Sequence, residues 1–183
     1  MIIAICGHKF SGKSTVANLL HNATGYEVRS FATPLKKMVC ALVGCTMDDL
    51  EDYDYKENTE VPEHLWAYCA NGKHTIRALM QGLGDLMRKE NPNVFINCTL
   101  SNCGENAIIS DCRFPNEAKA VKARGGIVIK VVRPDAKAED SHQSETRIDE
   151  IVPDYTIWND TTLENLVANV DSLVRLLRGN GKI

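Results

Sequence analysis

The sequence contains no apolar stretch long enough to cross a bilayer, which takes about 20 residues. Its apolar start, Met1 to Cys6, stops at Gly7 and is too short for the core of a secretory signal. A surplus of positive charge is also missing. Lys and Arg total 21 against 24 Asp and Glu, a net charge of -3, which argues against a general nucleic-acid binder. A local anion site stays compatible with that balance, because the local field and not the net charge binds a phosphate. None of the seven cysteines stands in a C-x-x-C pair, so no zinc site is expected. An odd number of thiols without a secretory signal reads as reduced cysteines in the cytoplasm. Repeats, low-complexity tracts and linkers are lacking too, so the 183 residues read as one domain.

What is present alternates between two hydrophobic periods, the mark of an α/β sheet. Short apolar runs predict strands over 2–6, 27–31, 106–110, 127–132 and 155–158. Helices are expected over 14–22 (closed by Gly25), from Pro34 to about Val43, over 75–90, over 115–124 and over 162–177. Ile76, Leu79, Met80, Leu83 and Met87 give the third of these a strongly apolar face. Residues 46–74 open with Asp48, Asp49, Glu51, Asp52 and Asp54 and are expected to form short helices and loops. Strands this apolar imply a mostly parallel sheet covered on both faces.

Between the first strand and the first helix lies Gly7-His8-Lys9-Phe10-Ser11-Gly12-Lys13-Ser14, a full match to G-x-x-x-x-G-K-[ST]. Each residue type has a physical role there. The glycines let backbone N–H groups turn toward phosphate oxygens with no Cβ in the way. The helix opening at Lys13 points its positive end at the anion. Lys13 can reach the β- and γ-phosphates, and the Ser14 hydroxyl can ligate Mg²⁺ held between them. Lys9, Ser11 and Thr15 complete the candidate phosphate-binding set.

A phosphate loop implies a nucleoside triphosphate but not a reaction. The N-K-x-D motif of guanine-specific switches is absent, and Asp111 is followed by Cys112, not by the glutamate of a water-activating ATPase. A small-molecule kinase needs cations for a second anion, and these are present. Lys36 and Lys37 follow the second strand; Arg77 and Arg88, 11 residues apart, share a face of the long helix with Gln81. Ligands of such sheets bind beyond the carboxyl ends of the strands. Gly7, Phe31, Asp111, Arg113, Arg133 and Asn159 all fall there. His8 and His142 are weak candidates for a base, so the sequence offers no convincing one.

Several longer blocks carry a resemblance. They are Gly7 to Thr15; Phe31-Ala32-x-Pro34-Leu35-Lys36; Arg77-Ala78-Leu79-Met80-Gln81-x-Leu83-Gly84; and Ser110-Asp111-x-Arg113-Phe114-Pro115-Asn116-Glu117-Ala118. Further on come Gly125-Gly126-x-Val128-Ile129-x-Val131-Val132-Arg133-Pro134, His142-x-Ser144-Glu145 and Asn159-Asp160-x-Thr162-Leu163-Glu164. Collinear through most of its length, the chain resembles the phage deoxynucleoside monophosphate kinases of the wider nucleoside monophosphate kinase group. The resemblance implies a three-layer α/β/α P-loop fold with five parallel strands ordered 2-3-1-4-5. It implies a core of residues 1–33 and 104–183, a monophosphate-binding helical region over about 34–103, and a lid near 134–147.

By the same resemblance Phe31, Lys36, Arg77, Gln81, Arg88, Asp111 and Glu145 would hold the monophosphate. Lys13, Arg113 and Arg133 would be catalytic, and Asn159 and Asp160 would lie near the adenine of ATP. Mg²⁺ would rest on Ser14 and, through water, on Asp111. The lid departs from the group's habit of supplying several arginines. Residues 135–144 contain only Lys137 as a cation, with Arg147 further on, so Lys9, Arg113 and Arg133 are expected to take that share. The expected activity is ATP-dependent phosphorylation of a deoxynucleoside 5′-monophosphate. It would proceed in the cytoplasm (a host's, for a phage protein), by a monomer or homodimer, with no nucleic-acid or membrane partner. The alternatives are a P-loop kinase for another phosphorylated acceptor, of dephospho-coenzyme A or phosphomevalonate type, and a nucleotide-binding regulatory module without turnover.

Overall fold

The computed structural model describes residues 1–135 and 143–183; Lys137 and His142 lie outside the described residues. In chain order the elements are β1 (Ile2–Cys6), α1 (Lys13–Thr24), β2 (Glu27–Arg29), α2 (Thr33–Val43), α3 (Tyr53–Asn58), a 3-10 helix (Glu63–Tyr68), α4 (Ile76–Glu90) and α5 (Val94–Ser101). There follow β3 (Ala107–Cys112), α6 (Pro115–Ala123), β4 (Ile127–Val132), α7 (Gln143–Thr146), a second 3-10 helix (Arg147–Glu150), β5 (Tyr155–Trp158) and α8 (Leu163–Gly179). No helix among the described residues is long and apolar enough to cross a membrane.

The chain divides into two compact units, Met1–Phe31 with Leu100–Ile183, and Ala32–Thr99. The first is built on a five-stranded, all-parallel sheet in the order β2-β3-β1-β4-β5, as expected from the resemblance. β1 is central and wholly buried, which is why its sequence is a continuous apolar run and not an alternating one. The chain moves one way across the sheet from β1 to β2 and the other way from β3 to β4. Right-handed crossovers therefore place α1 and α6 on opposite faces, giving three layers.

On the α1 face, Val16, Ala17 and Leu20 pack with Ile3, Ile5 and Ile129 and with Leu166, Val170, Leu173, Val174 and Leu177 of α8. The last five recur at helical spacing, so one stripe of α8 is apolar. Gly25 ends α1 in the left-handed conformation and donates its N–H to His21 O at 2.7 Å.

In the second unit, α4 is the hub. Thr75 caps its start by accepting from the Ala78 N–H, and Ile76, Leu79, Met80 and Leu83 pack with Leu35, Val39, Leu50, Leu65 and Phe95. At Gly82 the 3-10 helix comes so close that a Cβ would stand 1.9 Å from Tyr68 O. The sequence expectation leaves residues 91–105 without an element, whereas α5 occupies Val94–Ser101. The expected third strand also runs two residues further, to Cys112. An extra residue in β3 shifts the register from Ala4↔Ile109 to Cys6↔Cys112, and such a bulge lets a strand continue while re-aiming its side chains.

Candidate active site

The loop between β1 and α1 has the shape that a phosphate cradle needs. Gly7 and Gly12 have φ of 147° and 99°, where side-chain-bearing residues are strained. At Gly7 a Cβ would sit 2.4 Å from Val131 O, and at Gly12 it would sit 2.5 Å from Asn159 Nδ2. Gly12 stands at the N-cap of α1 and brings no side chain to its first N–H groups. These donors are thereby available to an anion, with the dipole of a 12-residue helix behind them. At the tip, Phe10 adopts φ 63° and is 64% exposed. Ser11 is buried, and its Oγ has no hydrogen-bond partner among the described residues.

Lys13 folds back so that its Nζ donates to His8 O at 2.6 Å. Burial and then the charge of Arg113, against the opposing pull of Glu145 and Asp111, lower its pKa to about 8. An ammonium held near another cation in a desolvated loop gains most from an arriving polyanion. Ser14 and Thr15, on the first turn of α1, are exposed.

Two long-range braces fix this loop. Asn159, just past β5, donates from Nδ2 to Ser11 O at 2.9 Å and from its backbone N–H to Val132 O at 2.8 Å. Glu145 on α7, only 3% exposed, accepts from the Lys9 N–H at 3.0 Å through one oxygen and pairs with Arg113 Nη1 through the other. Arg113 is fixed at its backbone as well. Its N–H and that of Phe114 both donate to the buried Glu117 carboxylate, at 2.7 and 3.0 Å. A third contact joins the loop to the second 3-10 helix. Asp149 lies 3.2 Å from His8 Nε2 and 2.8 Å from Lys130 Nζ, and the bond from Lys130 holds the carboxyl of Asp149 below its usual range.

Asp111 accepts from the Ser30 hydroxyl at 2.6 Å and from the Phe31 N–H at 2.7 Å, so it ties the end of β3 to the segment after β2. Phe31 itself is buried. Arg133 is exposed past β4 and has no ion-pair partner among the described residues; Asp160 is likewise exposed. Cys6 and Cys112 are buried at the strand ends, where burial pushes the first thiol up to about 11 and the second well above its usual value. Neither offers a thiolate at neutral pH.

Within the second unit, Arg77 Nε donates to Glu57 Oε1 at 3.0 Å, and Lys36 pairs with Glu51. Lys56 is buried beside them, with Nζ donating to Leu50 O at 2.6 Å. Burial, then the charges of Arg77 and Lys36, lower its pKa to about 8. Gln81 lies one turn beyond Arg77. Arg88 belongs to the other end of α4, 3.9 Å from Asp85 and 4.9 Å over the Phe95 ring.

Sequence reasoning missed Lys56, Glu57, Glu117, Lys130 and Asp149. Lys130 left a signal, being the one polar residue in an otherwise apolar strand. Lys56 left none, since it sits in an acidic, irregular stretch where one lysine reads as solvated. A Mg²⁺ ion fits what is present. Ser14 offers an exposed hydroxyl on the first turn of α1 and Asp111 a carboxylate at the end of β3, oxygen donors of the kind taken by an ion that draws most of its ligands from phosphate and water.

The chain matches the family model for deoxynucleotide monophosphate kinase over residues 43–170. A protein of Acanthamoeba polyphaga mimivirus, named as a deoxynucleotide monophosphate kinase, is 31% identical over 192 residues, covering 95% of this chain and 96% of the relative. The deoxynucleotide monophosphate kinase of Enterobacteria phage T4 is 36% identical over 70 residues, covering 38% of this chain and 29% of the relative. Among solved structures, shikimate kinase from Acinetobacter baumannii in complex with shikimate aligns with a TM-score of 0.50 at 17% identity. It covers 98% of this chain and 93% of that one, a likeness of fold.

Proposed function

The chain belongs to the deoxynucleotide monophosphate kinase family, and on that premise we propose that it transfers the γ-phosphoryl group of ATP to a deoxynucleoside 5′-monophosphate. The observation that carries the reading is the phosphate loop with Lys13 and Arg113 gathered at it, Arg113 held by the buried Glu145. The acceptor oxygen of a monophosphate is already largely anionic near neutral pH, its second pKa being about 6, so no general base is needed.

The task of the protein is to align two polyanions and offset their repulsion. The loop amides and Lys13 grip the β- and γ-phosphates of ATP. Arg113 faces the charge that spreads over the equatorial oxygens of the transferring group. Loss of one such cation costs about 3–4 kcal/mol of transition-state stabilisation, by comparison with other electrostatic stabilisers. Mg²⁺, held by Ser14 and by Asp111 through water, would add charge neutralisation when bound. Glu145, expected by resemblance among the acceptor ligands, is better suited to orient Arg113 and the Lys9 amide. Asn159, expected near adenine, is better suited to hold the loop closed around phosphate. The cations of the second unit, Lys36 and Arg77, would take the monophosphate.

The test is ADP release from ATP with each of dAMP, dCMP, dGMP, dTMP and their ribonucleotide counterparts in turn. Rapid ADP formation that depends on at least one deoxynucleotide is the expected result. ATP binding with no acceptor-dependent ADP from any of the eight would reject the proposal and favour a regulatory module.

A further inference from the structure

Among the described residues, Lys56 is a buried cation in no ion pair. It lies 8% exposed within the second unit, where Lys36 of α2, Lys56 and Glu57 of α3, Arg77 of α4 and the segment Leu50–Asp52 converge. The neighbouring carboxylates are committed elsewhere. Glu51 pairs with Lys36, Glu57 with Arg77, and Asp52 caps α3 by accepting from the Tyr55 N–H at 3.1 Å. Lys56 has only a peptide carbonyl, Leu50 O, and no carboxylate within ion-pair distance among the described residues. A buried ammonium beside two other cations is costly unless an anion completes the group. Folding alone does not call for it, because an apolar residue of the same volume would fill the space at lower cost.

We propose that Lys56 is a substrate-binding residue whose ammonium takes the phosphate of the acceptor nucleotide, completing with Lys36 and Arg77 a three-cation site for a phosphate monoester dianion. The proposal rests on the reading of function above. The bond to Leu50 O aims the ammonium before the ligand arrives. Arg77 gives Glu57 one of its five N–H donors, which leaves a guanidinium capacity for further acceptors. A dianion at this position favours the charged form of Lys56, so its binding draws a proton onto the ammonium. The groups that set this response are Arg77 and Lys36, which lower the pKa, and Glu51 and Asp52, which raise it, with burial the largest influence.

Two measurements test the site. In the first, binding of dAMP, dCMP, dGMP and dTMP is titrated calorimetrically against wild-type protein and Lys56→Met, with the four deoxynucleosides as phosphate-free controls. KM is measured for both substrates. The expected result is a tenfold or greater loss of affinity for the monophosphate, the scale of one charge-assisted bond. Nucleoside affinity and the KM for ATP should move by less than about twofold. A lysine that serves only to brace Leu50 would lower thermal stability and leave this phosphate-specific difference at zero, and that outcome overturns the proposal.

The second measurement uses wild-type protein alone and stands even if the variant fails to fold. Binding enthalpies near pH 8 in buffers of different ionisation enthalpy should reveal uptake of about half a proton, since the free ammonium titrates at about 8 and the acceptor is already a dianion there. No uptake overturns the assignment. If wild-type protein binds none of the four monophosphates, the reading of function fails first and takes this site with it.

Discussion

Lys13 is where the molecule trades stability for chemistry. Its pKa, lowered to about 8 by burial and by Arg113, means that the folded, ligand-free chain holds this ammonium at a disadvantage. Lys13→Met keeps the length and the apolar stem while removing the charge. The expected outcome is loss of phosphoryl transfer together with a melting temperature higher by a few degrees, since about 1 kcal/mol shifts a chain of this size by roughly 2–4 °C. Thermal melts and the ADP assay decide it, and a variant that melts lower would show that the bond to His8 O outweighs the burial of charge. The same shift fixes a pH dependence. A lysine loses its charge as pH rises through its folded pKa, so kcat/KM for ATP, which reports the free protein, should fall above pH about 8 by about tenfold per unit. A profile level to pH 10 would mean that Lys13 keeps its proton without ligand. Lys13 was legible in the sequence because its context is local: strand, loop and helix follow one another without a break over residues 2–24. Glu145 was legible only as a motif member. Its partner Lys9 is 136 residues away, and no local pattern announces which backbone amide a distant carboxylate will reach.

At the scale of elements, a chain reads well where burial dictates one period and poorly where capping and close approach decide. β1, β3, β4 and β5 and the α1, α4 and α8 helices follow from apolar runs or stripes that tertiary packing then uses, whereas β2, exposed at all three residues, owes its place to pairing with β3. Residues 46–74 follow from other causes. Asp49 draws Thr46 into a turn through both its N–H and its hydroxyl, at 2.8 and 2.7 Å, Asp52 caps α3, and the 3-10 helix exists because Gly82 lets Tyr68 O approach α4. Such contacts involve single atoms and leave no periodic trace. Gly82→Ala should therefore be costly although α4 is a helix in which alanine is intrinsically preferred by about 1 kcal/mol. A Cβ placed 1.9 Å from a backbone oxygen forces a shift of the 3-10 helix, and the expected loss is about 1–3 kcal/mol, readable by urea unfolding. Gly104→Ala, where a new Cβ meets nothing within 4 Å, is the matched control and should stay within about 0.5 kcal/mol. Equal stability of the two variants would mean that the 3-10 helix is not held against Gly82 in solution.

For the molecule as a whole, the proposed chemistry requires two anion sites of different character, and on that proposal the two compact units supply them by different means. The first uses backbone: amides at the start of a 12-residue helix, a loop with glycines at φ 147° and 99°, and one lysine. The second uses side chains: Lys36 of α2 and Arg77 of α4, each paired with a carboxylate, and Lys56 of α3, held by the Leu50 carbonyl. Backbone donors must leave regular structure to be free, which demands glycine and so writes a motif. Side-chain cations can stand on ordinary helices, which is why the donor loop was plain in the sequence and the acceptor cluster was only partly so. The difference predicts separable footprints in amide hydrogen exchange. ADP should slow exchange at the amides of Lys13, Ser14 and Thr15, within the loop and first turn at 11–15, by tenfold or more, because those N–H groups become direct hydrogen-bond donors to phosphate. A deoxynucleoside monophosphate should leave these amides nearly unchanged, and slow those of α3 and the first turns of α4 by stabilising the packing around Lys56 and Arg77. If the monophosphate alone protected Lys13, Ser14 and Thr15 as strongly as ADP does, both nucleotides would be competing for one cradle. The cations around Arg77 would then be scaffolding for the fold, with no acceptor to hold.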